Sequence, residues 1–254
     1  MPTIEHERGT VHYDRAGSGP GLVLVHGTGG DSVTNYAHLV PGFTDIRTVI
    51  TPDYAGSGRT TDPGGDLTLD LLADQVAATF PGPSDLVGFS LGAAVAVTVA
   101  ARHPSLVRRL VLIAGWTHGD DPRLRLGLRT WARLAATDPE SYAAYGPLVG
   151  FSPGFVSGLG EEGLKAMMSG EPAPGTVRQI ELDLRLDLRP LLPLITAPTL
   201  VVGNSLDHLV PVEHARALHA AIPGSAYAEL ESGHVVVHER PAEITELIRN
   251  FIVS

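Results

Sequence analysis

The pentapeptide Gly88-Phe89-Ser90-Leu91-Gly92 sets one serine between two glycines. Side-chain-free neighbours two positions away allow a turn tight enough to push the serine hydroxyl clear of the backbone. A helix opening right after that turn would aim its free N–H groups at any negative charge developing there. A serine hydroxyl is a weak nucleophile without a base. The candidate base is His234, in Glu231-Ser232-Gly233-His234, and the candidate acid that orients it is Asp207, in Asn204-Ser205-Leu206-Asp207-His208. The order serine, acid, histidine is the one expected for a serine on a strand-to-helix turn. Asp120 is the alternative acid. The chemistry would be acyl transfer, which creates an oxyanion and needs two converging N–H donors. Leu91, next to the serine, supplies one; Thr28, in His26-Gly27-Thr28-Gly29-Gly30, supplies the other.

These residues must be held by something, and the apolar pattern says what. Short apolar runs at 22–26, 46–51, 85–89, 107–114, 199–203 and 226–231 read as strands, and 3–7 with 10–15 reads as a polar hairpin around Gly9. Helical spacing marks 67–80, 91–102, 212–221 and 242–253. Strands alternating with helices predict a mostly parallel sheet covered on both faces, with its ligand site beyond the carboxyl ends of the strands. Every candidate residue above lies in a loop that follows a strand. From Trp116 to about Pro193 the strand signal stops. Leu124, Leu128, Trp131 and Ala135 share one helical face there, and Val177, Ile180, Leu184 and Leu188 another, with a Gly/Pro-punctuated stretch from Pro147 to Pro174 between them.

With these pieces the chain resembles the α/β-hydrolase family over nearly its whole length. Further likeness lies in Asp53-Tyr54-Ala55-Gly56-Ser57-Gly58, Ala197-Pro198-Thr199-Leu200 and Arg240-Pro241. The resemblance implies an α/β fold: a mostly parallel eight-stranded sheet flanked by helices, formed by residues 1–116 and 194–254, with a helical cap inserted at 117–193. It implies a structural role for the Asp53 segment. Serine rather than aspartate at position 90 sets aside the haloalkane-dehalogenase and epoxide-hydrolase branches. Hydrolysis of an ester, lactone or thioester of a small to medium, largely apolar substrate is the leading expectation. C–C bond hydrolysis with the same residues, cofactor-free perhydrolysis, a non-hydrolytic natural-product reaction and ligand binding on the same fold stay open.

Trp116, Thr117 and Trp131 are the candidate substrate contacts, with His118 and His208 near predicted loop mouths. Arg125, Arg129 and Arg133 recur on one helical face and read as a solvated face or an anion clamp. No metal-ligand spacing such as H-E-x-x-H occurs, and Gly56-Ser57-Gly58 leads to Arg59-Thr60 rather than to a cofactor-binding third glycine. Metal and cofactor are therefore not expected, and a small-molecule substrate is the expected partner. The absence of cysteine excludes a thiolate nucleophile and disulfides, and the single lysine, Lys165, lies far from every candidate loop. A net charge of −10 argues against nucleic-acid and anionic-membrane binding. No signal peptide or membrane span is read, so the expected location is cytoplasmic; oligomeric state is left open.

Overall fold

The computed structural model describes residues 2–168 and 171–254. Its eight strands are β1 (Thr3–His6), β2 (Gly9–Gly17), β3 (Gly21–Val25), β4 (Thr48–Pro52), β5 (Ser84–Phe89), β6 (Val107–Ile113), β7 (Thr199–Asn204) and β8 (Ala226–Leu230). They form one sheet in the order β1-β2-β4-β3-β5-β6-β7-β8. β1 pairs antiparallel with β2 and β2 antiparallel with β4; all other neighbours are parallel. This is the fold class the sequence implied.

The helices are α1 (Ser32–Tyr36), α2 (Leu69–Ala78), α3 (Leu91–Arg102), α4 (Pro122–Thr137), α5 (Pro139–Gly150), α6 (Pro153–Gly158), α7 (Gly160–Met167), α8 (Thr176–Asp183), α9 (Val212–Ala221), α10 (Val236–Glu239) and α11 (Pro241–Val253). Successive side chains of a strand point to opposite faces, and the core divides accordingly. Val23, Val25, Leu110 and Leu112 join a cluster with α2, α3 and α9. Leu22, Leu24, Val111 and Ile113 join a second cluster with Tyr36 of α1, Val236 and Val237 of α10, and Ile244, Ile248 and Ile252 of α11. The central strands are buried on both faces, which is why they read as unbroken apolar runs. Among the described residues no helix is long and apolar enough to cross a membrane.

Among the described residues five α-helices, α4 to α8, lie between β6 and β7. The Gly/Pro-punctuated stretch is more regular than its sequence suggests: α5 runs through Pro147 to Gly150, and α6 and α7 follow, each with no buried residue. Leu124 and Leu128 of α4 and Ile180 and Leu182 of α8 reach the first core cluster. The excursion leaves and returns at one place, where Leu188 N–H donates to the Thr117 carbonyl (2.8 Å) and Gly119 N–H to the Leu186 carbonyl (2.9 Å).

The Asp53 segment is a structural turn. The Asp53 carboxylate accepts the N–H groups of Ser32 (2.9 Å) and Arg59 (3.1 Å), and the Tyr54 hydroxyl donates to the His26 carbonyl (2.9 Å).

Candidate active site

Ser90 stands between the end of β5 and the start of α3 with φ 56° and ψ −121°. Only Ser90 and Ala114 among the described non-glycine residues have positive φ. Such a backbone costs about 1–3 kcal/mol and persists only where its surroundings impose it. Here they do: Ser90 N–H donates to the Ile113 carbonyl of the next strand (2.9 Å). A Cβ at Gly88 would fall on the Gly92 carbonyl, and one at Gly92 on the Val25 carbonyl, so both glycines are required by close backbone approach.

From Ser90 a line of hydrogen bonds runs through the base to the acid. Ser90 Oγ is 2.9 Å from His234 Nε2, and His234 Nδ1 is 2.7 Å from Asp207 Oδ2. An ionised carboxylate only accepts. Nδ1 therefore carries the ring proton, and Nε2 is left to accept from the serine hydroxyl. Asp207 Oδ1 accepts the N–H groups of Leu209 (2.9 Å) and Val210 (2.7 Å), so both carboxylate oxygens are partnered. The Asn204 amide donates to the His234 carbonyl (3.1 Å), and the Phe89 ring packs on the imidazole. Ser90, Asp207 and His234 are all buried.

Residues 27–30 follow β3 beside the serine. Gly27 N–H donates to Asn35 Oδ1 (2.9 Å), Gly29 N–H to Gln179 Oε1 (2.8 Å) and Gly30 N–H to the Gly27 carbonyl (3.3 Å). The N–H groups of Thr28 and Leu91 have no partner among the described residues. These are the two donors the sequence singled out. His26, stacked on Tyr54 with ring centroids 3.9 Å apart, has its pKa lowered by burial, so it is neutral at pH 7.

Residues 22–247 match the alpha/beta hydrolase family. The chain belongs to that family. This alpha/beta hydrolase is 43% identical over 252 residues to the pyrrolizixenacetamide deacetylase of Xenorhabdus hominickii, a match covering 96% of this chain and 95% of that one. It is 28% identical over 268 residues to the pimeloyl-[acyl-carrier protein] methyl ester esterase of Aeromonas hydrophila, covering 96% and 99% of the two chains. The enol-lactonase of Burkholderia xenovorans LB400 shares its fold, with TM-score 0.88, 23% identity and full coverage of both chains. Its relatives are named as hydrolases, and this chain is an enzyme of that family.

The hydrolase carries a cavity of about 380 Å³ lined by Thr28, Ser90, Phe89, Trp131, Phe151, Met167, Leu209, His234 and His238 among others. Trp131, a candidate substrate contact, lines this cavity. Trp116 and Thr117 do not line this cavity, which corrects the expectation for both: Trp116 packs into the core, and the Thr117 carbonyl closes the neck of the helical excursion. Asp120 is exposed, 3.6 Å from Arg125 and 3.8 Å from Arg189, so it serves a surface charge cluster rather than His234. Arg125 donates to the Gly119 and Leu184 carbonyls, and none of Arg125, Arg129 and Arg133 lines the cavity. His208 lines a second cavity of about 770 Å³ that shares Val149 and Phe151 with the first.

Four polar residues near the site escaped the sequence reading. His238 lines the cavity, and burial and the stacked His38 lower its pKa. The buried Glu239 accepts the N–H groups of Ser152 (2.9 Å) and Gly233 (3.1 Å), and Ser152 Oγ also bonds to it. Gln179 and Asp183 approach residues 28–29 from α8. The available signal was a pair of polar residues, four apart, flanking the buried Ile180.

Proposed function

We propose that this enzyme hydrolyses an ester, lactone or thioester of a small to medium, largely apolar substrate through an acyl-enzyme on Ser90. The observation that carries the reading is the unbroken line from Asp207 through His234 to Ser90 beside two unpartnered N–H groups. Ser90 Oγ attacks the carbonyl carbon while His234 Nε2 takes its proton. Asp207 holds the ring and stabilises the imidazolium. The N–H groups of Thr28 and Leu91 bond the tetrahedral oxyanion, where a single such donor is worth roughly 10²–10³ in rate. His234 then protonates the leaving group, and water repeats the sequence in reverse roles to free the acid. Residues 117–193 act as the cap that selects the substrate, through Trp131, Phe151 and Met167.

A second reading, deacetylation of an acetamide, draws on the 43% identical deacetylase. It uses the same residues. Amine departure depends more heavily on proton delivery by His234, because an amide anion is a far poorer leaving group than an alkoxide.

The test is activity-based labelling with a fluorophosphonate, followed by p-nitrophenyl esters of rising chain length, lactones, acyl thioesters and N-acetyl amines. Wild type labels and hydrolyses members of the panel; Ser90→Ala does neither and keeps its circular dichroism spectrum. Labelling that persists in Ser90→Ala would overturn the assignment.

A further inference from the structure

A loop of three glycines and one threonine has almost no side chains with which to hold itself. Gly29 sits at φ 73°, a conformation open to glycine but weakly restrained by it. The place of the Thr28 N–H must therefore be fixed from outside. Asn35 of α1 holds Gly27, on the core side. The other two restraints come from α8. Gln179 Oε1 accepts Gly29 N–H (2.8 Å), and Asp183 Oδ2 accepts the Thr28 hydroxyl (2.7 Å). Neither α8 side chain is accessible to solvent beyond 1%.

α8 is itself anchored. Gln179 Nε2 donates to Ser57 Oγ (2.8 Å), which fixes the orientation of the amide and leaves its oxygen for Gly29. At the start of the helix, Gly175 lies so close to Gly56 that a Cβ would fall on the Gly56 backbone. The helix is thus keyed to the turn after β4 while it grips the loop after β3.

We propose that Gln179 and Asp183 are positioning residues that fix the Thr28 oxyanion donor, so that α8 belongs to the reaction machinery rather than to a substrate-selecting lid. The inference rests on the acyl-enzyme reading above. Its physical content is alignment: misplacing a reacting or stabilising group by 1 Å costs about 100-fold in rate. A donor aimed at the oxyanion acts in the transition state, so its loss lowers kcat rather than raising KM.

The test compares Gln179→Leu, Asp183→Leu and Asp183→Asn with wild type on the best ester of the panel. It reads kcat, KM, Tm and the inhibition constant of a trifluoromethyl ketone, which forms a tetrahedral adduct on the serine. Gln179→Leu and Asp183→Leu are expected to lose about 10- to 100-fold in kcat with KM within about threefold, and to weaken the ketone by the same factor. Asp183→Asn keeps an acceptor for the Thr28 hydroxyl and recovers to within about threefold of wild type. A loss confined to KM with ketone affinity unchanged, or kcat equal to wild type in both leucine variants, overturns the proposal. If Asp183→Leu does not fold, Gln179→Leu decides alone, since it removes one neutral hydrogen-bond partner. A wild type that resists the fluorophosphonate would instead fail the acyl-enzyme reading, before any α8 variant is compared.

Discussion

Asp183 is a carboxyl group without a cation. Burial pushes its pKa up to about 7, and the Thr28 hydroxyl opposes that shift only in part. Asp183 helps to raise the pKa of the Tyr54 phenol, and its Oδ1 has no hydrogen-bond partner among the described residues. The unfolded carboxyl titrates near 3.8. Between that value and about 7 the folded chain holds the extra proton, so stability falls as pH rises through this window. Below it the group costs nothing; above it the full cost of a buried, unpaired charge is present. Asp183→Asn should therefore melt several degrees above wild type at pH 8, with the gap cut to less than half at pH 5. A Tm difference equal at both pH values would mean that Asp183 does not titrate there. The same residue illustrates what a sequence withholds. Ser90, His234 and Asp207 announce themselves because each obeys a local rule, glycines around a turn or a position just after a strand. Thr28 and Asp183 are 155 residues apart, and nothing local to either marks the other.

At the scale of elements, the turn from β5 to α3 is the most constrained. Gly92 faces the Val25 carbonyl, which belongs to a central strand and cannot yield. Gly92→Ala should cost several kcal/mol, as strain or overpacking at a special backbone position does, and should appear as a large drop in Tm or as insoluble protein. A Tm unchanged from wild type would contradict this close approach. The strands and α2, α3, α9 and α11 were legible because each buries a face and so carries a period. α6 and α7 bury none of their residues and contain glycines at 154, 158, 160 and 163, so no stripe advertises them. α5 was obscured by Pro147, which the helix carries in its interior. Of the three candidate substrate contacts only Trp131 lies on the cavity; Trp116 sits three residues beyond β6, where no strand or helix period tells core from pocket.

Across the whole molecule, the helical excursion is fastened to both loops that flank the serine. α8 grips residues 28–29, and Glu239 ties Ser152 to Gly233, while Val235 N–H donates to the Gly150 carbonyl (2.8 Å). Between these fastenings lie the two cavities, divided at Val149 and Phe151, with Phe151 stacked on Phe155. Phe151→Ala should join them. The ratio of kcat/KM for an octanoyl ester over an acetyl ester is expected to rise roughly tenfold, the scale of a pocket's discrimination by apolar size. An unchanged ratio would place the acyl chain elsewhere.

The neck at Thr117–Leu188 has a consequence for descent and recombination. An insertion whose two ends are zipped together by main-chain hydrogen bonds can be replaced without disturbing the strands on either side. Here the unit of exchange is narrower than the insertion. α4 to α7 can diverge only where they neither reach the core, as Leu124 and Leu128 do, nor bond the His234 segment, as Gly150 and Ser152 do. α8, keyed to Gly56 and gripping Gly29 and Thr28, must be inherited with the sheet. A chimera that takes a relative's helices up to about residue 174 and keeps α8 from this chain would preserve the ancestral chemistry under a borrowed specificity.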